Sequence, residues 1–109
     1  MISYFVRYDG QSGDPEGFLQ YYRTAHADLL RQFDDIQGLT LYTPVDWIDP
    51  FPVQKGGLSL LAQMKFECAD TLKRGLASDA RRMAREDLTN FPDFHGQVLH
   101  QALQAEKIF

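Results

Sequence analysis

With 109 residues, 44% of them hydrophobic and 24% charged, the chain has the size and composition of one globular domain (1–109) built on one core. Its negative mean hydropathy argues against an integral membrane protein, and a net charge of -4 supplies no general basic field for a nucleic-acid backbone. The single cysteine, Cys68, has no partner for an internal disulfide, which fits a reducing compartment.

Ile2 to Tyr8 is rich in β-branched and aromatic residues and predicts a first strand. The segment lacks the basic start, long apolar stretch and cleavage site of a signal peptide, so a cytoplasmic protein is expected. Asp9 to Asp14 supplies turn residues. Asp14 can then cap a helix that has Pro15 in its first turn and Glu16 near its positive end. On a helical wheel with about 100° per residue, Phe18, Tyr22, Leu29, Leu30 and Phe33 share one face, and His26 falls near its middle at about 80° from Phe18. This helix is expected to end near Asp34 or Asp35, ahead of a second strand over Leu39 to Thr43.

Pro44, Pro50, Pro52 and the pair Gly56-Gly57 exclude a helix between the second and third strands and predict a long loop. Trp47, Ile48, Phe51 and Val53 give that loop more apolar surface than solvent exposure requires, so it covers either a pocket or a partner. Leu58 to Phe66 predicts a third strand, almost continuously apolar, with both faces covered. Asp70 or Thr71 can cap a short turn, and Ser78 a second helix over Asp79 to Thr89 with Ala80, Met83, Ala84 and Leu88 inward and Asp87 among them. The run Arg81, Arg82, Arg85 reads as the solvated face of that helix. Gly96 to Leu103 predicts the last strand.

The order β-α-β-β-α-β predicts an α+β, ferredoxin-like fold: a four-stranded antiparallel sheet with both helices on one face. A second copy on the open face gives a dimeric α+β barrel, so a homodimer is expected.

His26 is the strongest candidate for chemistry, because imidazole titrates near neutral pH and here points between helix and sheet. Asp87, the other polar residue on an inward face, is a natural acceptor that would orient the ring; it equally suits Arg7 or a backbone amide. Tyr22 and Tyr42 are candidate donors to a substrate carbonyl, and Trp47 and Phe51 a candidate aromatic wall or dimer seam. Cys68 has no basic neighbour and reads as structural. His95 and His100, with His26, have no metal-site spacing, and no phosphate-binding glycine pattern is present, so neither metal nor cofactor is expected.

The run from Phe18 through Tyr21-Tyr22 and His26 to Leu29, followed by Ile36-Gln37-Gly38-Leu39, resembles the EthD-like family of the dimeric α+β-barrel superfamily. Leu76-Ala77-Ser78-Asp79 and Asp87-Leu88-Thr89-Asn90-Phe91 resemble that family's second helix and the segment after it. Gln37 stands where the family usually has proline, and Ala27-Asp28 replaces the common Gly-Pro after the histidine. Related barrels include cofactor-free monooxygenases, polyketide cyclases and lactone isomerases. In one lactone isomerase the histidine corresponds to His26 and a strand tyrosine lies near Tyr42, but its third-strand cysteine falls at Met64 here, which removes a thiolate mechanism. The resemblance implies a small-molecule catabolic protein acting by histidine proton transfer on an aromatic, lactone or polyketide-like substrate. The alternative is a non-catalytic module that binds or delivers a hydrophobic metabolite in an oxygenase pathway. An assembly protein, with His26 merely a bonded core residue, would have no pocket beside it.

Overall fold

In a computed structural model describing residues 1–109, four antiparallel strands form one sheet in the order β2-β3-β1-β4. These are β1 (Ile2–Ser12), β2 (Gly38–Tyr42), β3 (Leu60–Phe66) and β4 (Phe94–Gln104). Between β1 and β2 run α1 (Pro15–Tyr21), a π-helical turn over Tyr22–His26, and α2 (Ala27–Leu30). Between β3 and β4 lie α3 (Ala69–Leu76), α4 (Asp79–Glu86) and a 3-10 turn over Asp87–Asn90. This is the ferredoxin-like α+β arrangement read from the sequence.

Alternation along the strands decides which side chains meet the helices. Tyr4, Val6 and Tyr8 of β1 and Leu60, Ala62, Met64 and Phe66 of β3 form the floor of the core, under Phe18, Tyr22, Leu30, Phe33, Leu72 and Ala84. Phe66 is fully buried, and its truncation to alanine is worth about 3–5 kcal/mol. Phe5, Leu61, Gln63, Leu99 and Leu103 point to the opposite face, which no helix covers. The expectation that β3 is apolar on both faces is corrected here: Gln63 and Lys65 interrupt its outer row, and the strand is fully buried on the helix side alone.

Several boundaries differ from expectation for identifiable reasons. The strand predicted to stop at Tyr8 continues to Ser12, because Gly10 pairs with Gly96 across β1 and β4. Both have positive φ, 153° and 146°, and a Cβ on Gly10 would lie 2.1 Å from the His95 carbonyl oxygen; two glycines facing each other let the ladder pass through an expected turn. The first helix is interrupted by the π turn. Its buried residues Phe18, Tyr22, His26 and Leu30 recur every fourth position, a spacing that drifts by about 40° per step on an α-helix. The wider i→i+5 turn absorbs that drift and keeps the row facing the sheet. Asp14 caps the start as expected, its side chain accepting from the Gly17 amide at 3.0 Å.

The cap of α3 is Cys68 rather than Asp70 or Thr71; Thr71 donates to the Cys68 carbonyl and accepts from its amide. The cysteine is exposed, and hydrogen bonds at the helix start, chiefly from Thr71, hold its thiol below the ordinary value despite the lack of a basic neighbour. Ser78 caps α4, accepting from the Arg81 amide. That helix stops at Glu86, so Asp87 sits in the 3-10 turn. Met83 and Leu88, expected inward, are 40% and 36% exposed.

Candidate functional site

The aromatic row of the first helix meets the segment after α4 around His26. Its imidazole packs edge-on against Tyr22 and Phe91, with ring centroids 4.8 and 4.9 Å away. His26 is 4% exposed, and its Nδ1 lies 2.9 Å from Asp87 Oδ2. Asp87 Oδ1 accepts from the Tyr21 hydroxyl at 2.6 Å and from Asn90 Nδ2 at 3.0 Å. The structure thus joins Asp87 to His26, Tyr21 and Asn90, not to Arg7, which pairs with Asp9.

Charge assigns the protons. Burial raises the Asp87 carboxyl, but hydrogen bonds from Asn90, Tyr21 and His26 outweigh it and leave the group below the ordinary 3.8, ionised near neutral pH. Burial lowers His26 from 6.5, against the pull of Asp87, and keeps the ring neutral. A carboxylate only accepts, so Nδ1 carries the imidazole proton. Nε2 then holds a lone pair. It bonds to nothing in the chain, yet no occluded side-chain nitrogen or oxygen lacks a partner, so Nε2 is accessible. It opens on a pocket of about 250 Å³ between β1, β4, the first helix and α4.

Tyr22 lines this pocket and is 1% exposed; burial pushes its hydroxyl well above the ordinary range, so it stays protonated. Tyr8, also on the wall, is pushed up to about 12 by burial, against the neighbouring Tyr22 hydroxyl and the Arg85 guanidinium. Both hydroxyls are protonated at physiological pH, with Tyr22 donating to Tyr8 and the Tyr8 proton left for the pocket.

Tyr42, Trp47 and Phe51 are elsewhere. Tyr42 lies on the open sheet face, because β2 pairs it with Leu61, and its hydroxyl donates to Gln63, which donates to Ser3. The loop between β2 and β3 folds on itself, with Lys55 Nζ 2.8 Å from the Trp47 carbonyl and 4.8 Å above its ring. Trp47 and Phe51 are 46% and 74% exposed, and neither borders the His26 pocket. The loop extends the open sheet face instead: Trp47 and Ile48 share a groove with Tyr42 and Leu61.

Sequence reasoning missed one wall. Arg81, half-buried, and Arg85, exposed at the rim, border the pocket together with Tyr4 and His100, while Arg82 lies wholly on the solvated face, pairing with Asp79 and Glu86. The available signal was spacing: residues 81 and 85 are four apart and flank Ala84, which faces inward. His95 lies on the opposite side of β4 from His100, and no three histidine, cysteine or acidic side chains converge as metal ligands would.

No family model and no curated protein matches the chain. Its fold is similar to that of an ethyl tert-butyl ether D (EthD) family protein from Bacillus halodurans, at 17% identity and a TM-score of 0.75, covering 97% of this chain and 99% of that one. SnoaB, a cofactor-independent oxygenase from Streptomyces nogalater, superposes at 15% identity and a TM-score of 0.65, covering 97% and 93%. A dimeric protein of ferredoxin-like fold from Bacteroides fragilis does so at 9% and 0.62, covering 95% of each chain. At these identities the likeness establishes the fold.

Proposed function

We propose that the chain is an EthD-like, cytoplasmic homodimer of small-molecule metabolism whose His26 moves a proton at a carbon beside a carbonyl, without a cofactor. The observation that carries this reading is the His26 ring itself: Nδ1 is held by ionised Asp87, and Nε2 is unpaired on the wall of an apolar pocket. In the reaction, Nε2 takes the proton, the C–H electron pair passes to the carbonyl oxygen as an enolate, and Asp87 steadies the imidazolium. Tyr22 and Tyr8, both kept protonated, are hydrogen-bonded to each other, so one O–H remains to donate to the oxyanion: that of Tyr8, with Tyr22 donating to Tyr8 behind it. Return of the proton at another carbon completes an isomerisation of an aromatic, lactone or polyketide-like substrate. The likeness to SnoaB supports cofactor-free chemistry on a small organic molecule.

The homodimer is supported by the open sheet face, which carries Leu61, Leu99 and Leu103 and continues into the apolar loop with Val45, Trp47, Ile48, Phe51 and Val53. A patch of that extent marks an interaction surface. The Bacteroides protein of the same fold, itself dimeric, supports a second copy as the occupant.

Proton transfer is tested by following substrate C–H exchange in deuterium oxide across cyclic ketones and unsaturated lactones. Wild-type protein is expected to catalyse exchange, and His26→Ala to lose it while remaining folded. Exchange retained in His26→Ala would overturn the reading; binding without exchange would mark the chain as a delivery module.

A further inference from the structure

The pocket has a second wall whose chemistry the proton transfer does not use. Arg81 and Arg85, one turn apart on α4, border it, yet neither belongs to any of the six ion pairs of the chain. The carboxylates around α4 are committed elsewhere: Asp79 and Glu86 to Arg82, and Asp87 to His26, Tyr21 and Asn90. Two like charges four residues apart on a helix repel each other, and here no acid relieves them.

The neighbouring polar groups are arranged as donors too. Arg81 Nη2 makes a long contact of 3.4 Å with the Tyr4 hydroxyl and its guanidinium lies over the Tyr4 ring, while that hydroxyl is 2.8 Å from His100 Nδ1. With the guanidinium on its oxygen, Tyr4 gives its proton to Nδ1, and the neutral His100 carries its own proton on Nε2. Burial and the nearby Arg85 and Arg81 charges keep His100 below its ordinary value, which preserves that neutral form. The wall therefore presents N–H groups and positive charge to a cavity whose remaining lining is mainly apolar.

From this geometry we infer that the ligand is a single-ring organic carboxylate, its carboxylate bound by Arg81 and Arg85 and its ring on the apolar floor facing His26. Size narrows the class. A dry cavity of about 150 Å³ holds benzene, so about 250 Å³ holds one substituted ring. This rests on the reading of the His26 pocket as a ligand site and narrows its substrate class, while standing apart from whether His26 transfers a proton.

The test is calorimetric titration of the full chain with matched acid and amide pairs: benzoate and benzamide, phenylacetate and phenylacetamide. Acids are expected to bind at least about tenfold tighter, the effect of one charge-assisted hydrogen bond. Arg81→Gln with Arg85→Gln should abolish that preference, and Arg81→Lys with Arg85→Lys should keep part of it, which separates lost charge from lost fold. His26→Ala should retain the preference even where turnover is gone. Equal binding of acid and amide, failure of every acid to bind, or a preference that survives the double glutamine change would each overturn the inference. Acid preference without any His26-dependent exchange would instead refute the proton transfer and leave the carboxylate site standing.

Discussion

Replacing Asp87 by asparagine removes one charge and places an amide group against a ring nitrogen. The asparagine oxygen can still accept from Tyr21 and Asn90, which lie 2.6 and 3.0 Å from Asp87 Oδ1. Its NH₂ then faces His26 Nδ1, where Oδ2 had been 2.9 Å away. Two donors cannot share that position, so the imidazole shifts its proton to Nε2 and presents a donor to the pocket instead of a base. Loss of the base is expected to lower kcat by about 10²–10⁴, or roughly 3–5 kcal/mol of barrier. Stability should fall less. Charge-assisted bonds become neutral ones, a loss of about 1 kcal/mol each, and relief from burying the carboxylate offsets part of that. A net loss of about 1–2 kcal/mol lowers Tm by roughly 5–15 °C in a chain of this size, leaving the variant folded at 25 °C. Deuterium exchange and thermal melts on one preparation separate the two effects. A variant with lowered Tm and near wild-type exchange would show that Asp87 only holds the fold.

Acid should act on both rate and stability. Because burial holds His26 below 6.5, kcat/KM is expected to rise with pH through an apparent value under 6.5 and stay flat above it; a limb above 7 would contradict this. The folded His26 value lies below the unfolded one, so its contribution to stability is complete above 6.5 and is lost as pH falls through the folded value, with Asp87, depressed from 3.8, adding a second loss at lower pH. Melts across that range check the sign. Gly10→Ala drives a Cβ into the His95 carbonyl at a φ that disfavours any side chain, and should cost at least about 2 kcal/mol by urea unfolding; a neutral result would refute the paired-glycine account. Leu61→Glu on the open sheet face would bury an unpaired charge in the proposed dimer, weakening it by at least about 10²-fold in sedimentation velocity. An unchanged dimer would place the interface elsewhere.

Elements with a strong period were legible in the sequence. The aromatic row from Phe18 to Phe33 gave the first helix, and the same row put His26 on the inner face; Asp87 stood out as a carboxylate among apolar neighbours. What escaped was set by tertiary pairing. Nothing local in Asp9 to Asp14 says that Gly10 will meet Gly96, so the segment reads as a turn. A π turn cannot be distinguished from α-helix by residue type, although the strict four-residue spacing of its buried side chains hints at a wider pitch. Tyr42 was misplaced because the phase of a strand is ambiguous by one residue, and one residue changes the face. A charge run on a helix reads as solvated, which holds for the exposed Arg85 and Arg82 but not for the half-buried Arg81; that Arg81 and Arg85 also border the cavity depends on α4 leaving part of β4 uncovered.

The most direct measurement of the central claim is the protonation of the His26 ring, by nitrogen-15 correlation spectroscopy of histidine-labelled protein near neutral pH. A neutral ring protonated on Nδ1, with a free Nε2, is the result expected. A proton on Nε2, or an imidazolium at that pH, would leave no base facing the pocket and would contradict the account.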